Sequence, residues 1–179
     1  RLRYTNYDDR ALLAGLRAEV LRRQGQPAAA ADAMALRRDL IAVRFHDRDR
    51  AEDLADLADA EQRLGVLLAL SGDLTGAARN LEGALAHIDA WEARTASPAQ
   101  PLGLATLRAY AALHFHGRLP LTALHLDLRE RLDAVLQHLA RHPSPRLSGE
   151  RALFTTWLAR LELEAATPRR ATPSGQERR

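Results

Sequence analysis

Residues 64–84 read LGVLLALSGDLTGAARNLEGA. Two apolar runs with helical spacing flank the dipeptide Gly72-Asp73, which is a tight-turn signal. Small residues at Gly65, Ala77 and Ala84 allow two helices to approach closely, while Leu68 and Leu81 fill the space between them. This is ridge-into-groove packing expressed as spacing.

Working outward from that hairpin, apolar positions recur at three and four residues along most of the chain, and β-branched residues are sparse, Ile occurring only as Ile41 and Ile88. The periodicity predicts seven helices, over residues 7–24, 27–45, 49–71, 74–94, 101–116, 120–141 and 147–166. Gly25-Gln26-Pro27 separates the first two, with Pro27 where a first helical turn tolerates it. Ser97-Pro98 with Pro101 makes the longest break, Gly117 to Pro120 makes a third turn, and His142-Pro143-Ser144-Pro145 isolates the last helix, which Ser144 or Ser148 could cap.

The order Leu64-Gly65, Leu68, Gly72, Ala77, Leu81, Ala84 resembles the helix A, turn and helix B of a tetratricopeptide repeat, whose skeleton is W-x2-L-G-x2-Y, A-x3-F, P. Leu replaces the larger aromatics, Glu61 stands where Trp is expected and Asp89 where Pro is. In a first repeat Ala18, Leu21, Gly25, Ala30 and Met34 match and Arg17 and Arg37 do not. In a degenerate third, Leu113, Gly117 and Leu126 match, while Tyr110 and Thr122 occupy small-residue positions. The turn glycines Gly25, Gly72 and Gly117 are 47 and 45 residues apart, so the resemblance is to extended-helix members of a family whose usual period is about 34. It implies an all-α fold: a short α-solenoid of three antiparallel helix pairs over residues 1–166, closed by a final capping helix with Leu153, Phe154, Trp157, Leu158 and Leu161. An irregular helical bundle is the alternative architecture.

Composition is compatible with either. At 179 residues, 46% hydrophobic and 27% charged, the chain can bury one core. With no cysteine, disulfides, thiolate metal sites and cysteine nucleophiles are excluded. No apolar run approaches the roughly 18–20 residues that span a bilayer, and no signal-peptide pattern opens the chain, so it reads as soluble and cytoplasmic. Arg1 in place of a methionine suggests a fragment, with an anchor, a catalytic domain or a DNA-binding domain able to lie upstream. All 26 basic residues are arginine, as expected of a GC-rich coding sequence. The net charge of +3 resides in Arg169, Arg170, Arg178 and Arg179 against Glu177; residues 1–166 balance 22 arginines with 22 acids. The folded body is therefore not expected to bind nucleic acid, and the 167–179 tail is expected to be disordered.

The sequence contains no Gly-rich phosphate loop, no Gly-x-Ser-x-Gly elbow and no His-Glu-x-x-His segment. His138 and His142 share a helix face but have Arg141 beside them and no acid within the turn, and His114 and His116 lie about 200° apart around a helix. No metal, no cofactor and no enzymatic activity is expected. The charged run at 47–53 reads as a solvated turn and helix start, and Trp91 and Trp157 as packing residues.

In the family resembled, helix A of each repeat lines a concave groove that holds an extended or helical peptide. The resemblance places Glu19, Arg22 and Arg23 of the first repeat, Gln62, Val66 and Leu70 of the second, and Leu107, Ala111, His114 and Phe115 of the third along that groove, with Arg63 and Arg108 at its edge. The carboxylate clamp of one subgroup is not expected, because its positions hold Gly15, Glu19, Gln62 and Val66. The function implied is a non-enzymatic scaffold or adaptor that holds a protein or peptide partner in a bacterial assembly. The alternative is a peptide-sensing regulatory part of a longer signalling or transcription protein. A weaker third reading is nucleic-acid binding through the arginine tail.

Overall fold

A computed structural model describes residues 2–96, 100–117, 128–141, 143 and 147–166. Among them are seven helices and no strand: α1 (Leu2–Arg23), α2 (Pro27–Arg48), α3 (Ala51–Ser71), α4 (Leu74–Thr95), α5 (Gln100–Gly117), α6 (Leu128–Arg141) and α7 (Ser148–Ala166). The fold is all-α, and none of these helices is long and apolar enough to cross a membrane. The break at Ser97-Pro98, the start of the sixth expected helix at 120, Leu126, His142, Ser144 and the 167–179 tail lie outside the described residues.

Two compact units are present, Arg1–Asp127 and Leu128–Arg179. In the first, α1 packs on α2, α2 on α3, α3 on α4 and α4 on α5, with a further contact between α3 and α5. In the second, α6 packs on α7. Leu128, Leu132, Leu139, Phe154, Trp157 and Leu161 are buried there, with the Phe154 and Trp157 rings 5.9 Å apart.

Two of the hairpin turns share one chemistry. Gly25 at φ 71° and Gly72 at φ 92° sit in the left-handed region, where a Cβ is strained. After α1, the Gln26 N–H donates to the Leu21 carbonyl at 3.0 Å and the Gly25 N–H to that of Arg22 at 3.1 Å. After α3, the Asp73 N–H donates to Leu68 at 2.9 Å and the Gly72 N–H to Ala69 at 3.2 Å. Both are Schellman endings, which satisfy carbonyls the helix leaves open. Asp73 then starts α4 by accepting from the Gly76 N–H at 2.8 Å.

At the α3–α4 crossing, a Cβ on Gly65 would stand 2.7 Å from Leu81 Cγ and 3.1 Å from the Ala77 carbonyl oxygen. Leu64, Gly65, Ala77, Leu81 and Ala84 are all buried. Leu64 also belongs to a buried apolar cluster with Ala11, Ala18, Ala30, Met34, Ile41, Leu57, Ala60 and Leu67, against which Tyr7, Leu21 and Leu68 pack.

Polar ties join the same helices. Arg44 of α2 reaches Asp8 of α1 at 2.8 Å, Asp53 of α3 at 2.7 Å, and Asp56. Arg48 adds a second contact to Asp8 at 3.1 Å, and these guanidinium groups, Arg44 first, hold the Asp8 carboxyl below the usual range. The run at 47–53 is thus only partly a solvated turn: Asp53, at 4% exposure, is buried, because Arg44 reaches it from the preceding helix.

Glu61, the acid at the expected Trp position, lies over Gly83 and pairs with His87 Nδ1 at 2.8 Å. The hydrogen bond to Glu61 raises the His87 pKa above its ordinary value, against the opposing effect of burial. A group with a raised folded pKa contributes stability fully present below its unfolded pKa and lost as pH rises through the folded value. Chemical denaturation from pH 6 upward is therefore expected to show falling stability through the neutral range, and His87→Gln to flatten that slope; an unchanged slope in the variant would exclude His87 as its source.

Candidate peptide-binding cleft

The first unit carries an open cleft of about 580 Å³. Gly15, Ala18, Glu19 and Arg22 line it from α1, Met34 from α2, Asp59, Gln62, Arg63, Val66 and Leu67 from α3, and Leu102 and Ala105 from α5. The volume lies within the range of about 300–1,000 Å³ usual for ligand sites.

Its floor is aliphatic, and its charges are held in fixed pairs. Glu19 accepts from Arg22 Nε at 2.9 Å and Nη2 at 2.8 Å and from Arg23 Nε at 2.7 Å. These bonds, Arg22 first, pull the Glu19 carboxyl down to about 2, so it is ionised at any working pH. Asp59 plays the same part on α3, accepting from Arg63 Nε at 2.9 Å and lying 3.3 Å from Arg37 Nη2. Arg37 gets there because Gly15 has no side chain: a Cβ at that position would stand 3.0 Å from Arg37 Cδ.

The lining itself balances Glu19 and Asp59 against Arg22 and Arg63, and Arg23 and Arg37 join the same carboxylates from beside it, so guanidinium N–H donors outnumber the carboxylate oxygens around the cleft. Such an arrangement can hold a carboxylate by paired hydrogen bonds and receive aliphatic side chains on the floor. Among the described residues no group of three or more His, Asp or Glu side chains could hold a metal ion.

Of the groove residues expected from sequence, Glu19, Arg22, Gln62, Arg63 and Val66 come together along this cleft. Arg23 stands beside Glu19 with its side chain 74% exposed. Leu70, at 63% exposure, lies at the end of α3, one turn past Val66. The expected α5 set differs. Leu107, Ala111 and Phe115 are buried core residues, and His114 is half-buried, its ring edge-on to Phe115 at 4.9 Å. Arg108 is exposed but does not line the cleft.

Leu102 and Ala105 supply the α5 wall instead, and at 100° per residue they point roughly 140–160° away from Leu107. Counting back from Gly117 selects the buried face of this helix, not the one that lines the cleft. Sequence reasoning also missed Asp59 and Arg37. The signal for Asp59 is its i,i+4 spacing to Arg63 on the face that carries Gln62; nothing local marks Arg37.

Comparison of the chain with protein-family models, with curated proteins and with solved structures gives no match in any of the three.

Proposed function

We propose that this chain is a tetratricopeptide-like helical-repeat scaffold that docks a partner peptide, aliphatic with at least one acidic residue, in the cleft formed by α1, α3 and α5. The observation that carries the reading is the alternation of roles along the chain. The odd-numbered helices of the first unit supply almost the whole lining, while α2 contributes Met34 alone and α4 nothing. Stacked hairpins whose first helices share an inner face would have such a layout, and the Gly65 crossing and the repeated Schellman turns support this reading.

The chemistry of the lining selects the ligand. Arginine side chains already oriented by Glu19 and Asp59 lose less conformational freedom on binding than loose ones, so a carboxylate meets a prepared site. A displayed random-peptide library panned on the protein is expected to enrich segments with two or more aliphatic residues near an Asp or Glu. The double reversal Arg22→Glu with Arg63→Glu is expected to weaken those peptides at least tenfold with an unchanged melting curve, both side chains being about half exposed. Enrichment of basic peptides, or binding untouched by the reversal, would refute the reading.

A further inference from the structure

Eight large hydrophobic side chains stand exposed among the described residues, and four of them, Leu12, Leu13, Leu16 and Val20, are on α1. Their exposures run from 53% to 64%. At 100° per residue these four positions, with Asp9 and Arg23 beyond either end, fall within an arc of about 100°. The core side of α1, with Ala11, Ala14 and Ala18, points elsewhere; of the cleft side, Gly15 and Arg22 lie farther round and Glu19 stands about 20° beyond Leu12, at the stripe's edge. The helix therefore carries an apolar stripe about 12 Å long, flanked by Asp9 at its N-terminal end and Arg23 at its C-terminal end, the two charges about 21 Å apart.

We infer that this stripe pairs with the same stripe of a second copy of the chain, antiparallel about a two-fold axis through Leu16. The pattern is complementary to itself in that arrangement. Leu16 meets the partner's Leu16, Leu12 meets the partner's Val20, and Asp9 of each copy comes beside the partner's Arg23, while Leu13, at the edge of the stripe, comes level with the partner's Glu19. Other arrangements lose this match. A parallel pair sets Asp9 against Asp9 and Arg23 against Arg23, and sliding the antiparallel pair by one turn, so that Leu12 meets the partner's Leu16, brings Asp9 against the partner's Glu19. Sliding the other way, so that Leu16 meets the partner's Val20, sets Arg23 against the partner's Leu13 and leaves Asp9 without a basic match, so the pairing centred on Leu16 is the one of these that matches opposite charges at both ends. The stripe is centred on Leu16, about 100–120° round the helix from Gly15 and Arg22, and borders the cleft at Glu19.

Sedimentation velocity of the full chain from about 1 to 100 µM reads the association directly. A concentration-dependent dimer is expected, with Leu16→Arg monomeric throughout. Asp9→Arg alone and Arg23→Asp alone are each expected to weaken the dimer at least tenfold, and the two together to restore it, since the swapped pair is again opposite in sign. The chain contains no cysteine, so Leu16→Cys introduces a single thiol. Helix axes 8–10 Å apart bring two residues on the axis to about 3.5–5.5 Å between Cα atoms, within disulfide range. Oxidation is expected to convert Leu16→Cys to a covalent dimer while Ala86→Cys, exposed on α4, stays monomeric. A monomer at all concentrations, as when the stripe is covered by a different protein, would overturn the inference; so would oligomers that ignore Leu16→Arg, or a double swap no better than either single change.

Discussion

Gly65→Leu is expected to lower the free energy of unfolding by about 3 kcal/mol or more, and Gly65→Ala by less. Even the single carbon of alanine would start 2.7 Å from Leu81 Cγ, closer than real Cβ contacts come, and 3.0 Å from its Cδ2, which is tighter than most. Leu81 has little room to yield: it is 1% exposed, with Ala77 and Ala84, both fully buried, on the same face of α4. The Ala77 carbonyl oxygen at 3.1 Å belongs to the backbone and can move only if α4 moves. A leucine side chain must therefore open the α3–α4 crossing, and α3 is also the helix that meets α2 and α5. Urea titration of the parent and both variants checks this, and a Gly65→Leu midpoint equal to the parent's would mean that the two helices do not touch at Gly65.

The second large effect is expected at Arg44. Its side chain is 13% exposed and that of its partner Asp53 6% exposed. Removing the guanidinium as Arg44→Leu strands the Asp53 carboxylate in a site with little water, which should cost about 3–5 kcal/mol. The pair is imperfectly satisfied even intact: Arg44 Nε and Asp53 Oδ2 are buried with no hydrogen-bond partner among the described residues. Arg44→Leu combined with Asp53→Leu should accordingly recover most of the loss, because two apolar groups replace two desolvated charges, while Asp8 and Asp56, with side chains 43% and 52% exposed, return to water. Additive losses in the double variant would show that Arg44 acts through its packing rather than its charge.

These two sites mark what can be read from sequence here and what cannot. The Gly65 crossing is legible because all its parts lie within 21 residues and each has a local signature: a small residue at a fixed offset, a turn glycine, an Asp cap. The Arg44 cluster joins Asp8, Arg44 and Asp53 across three helices, and no local pattern announces that Asp53 is buried rather than one more charge in a solvated turn.

The cleft falls between these cases. Glu19 and Arg22 follow from counting back from Gly25, and Gln62, Arg63 and Val66 from counting back from Gly72, because both glycines end their helices in the same Schellman geometry. Gly117 shares neither that geometry nor a positive φ among the described residues; it is the last residue of α5 itself. Counting from it selected Leu107, Ala111 and Phe115, an apolar i,i+4,i+8 stripe that is this helix's core face. Helical period identifies a stripe, but the stripe alone does not say whether core or ligand covers it.

The most direct measurement on the cleft is an amide chemical-shift titration of the labelled protein with a peptide from the library selection. Perturbations are expected to concentrate at Ala18, Glu19, Gln62, Val66, Leu102 and Ala105, on three helices far apart in sequence. Shifts confined to the exposed positions of α2 and α4, or to α6 and α7, with those six amides unmoved, would contradict a peptide site formed by α1, α3 and α5.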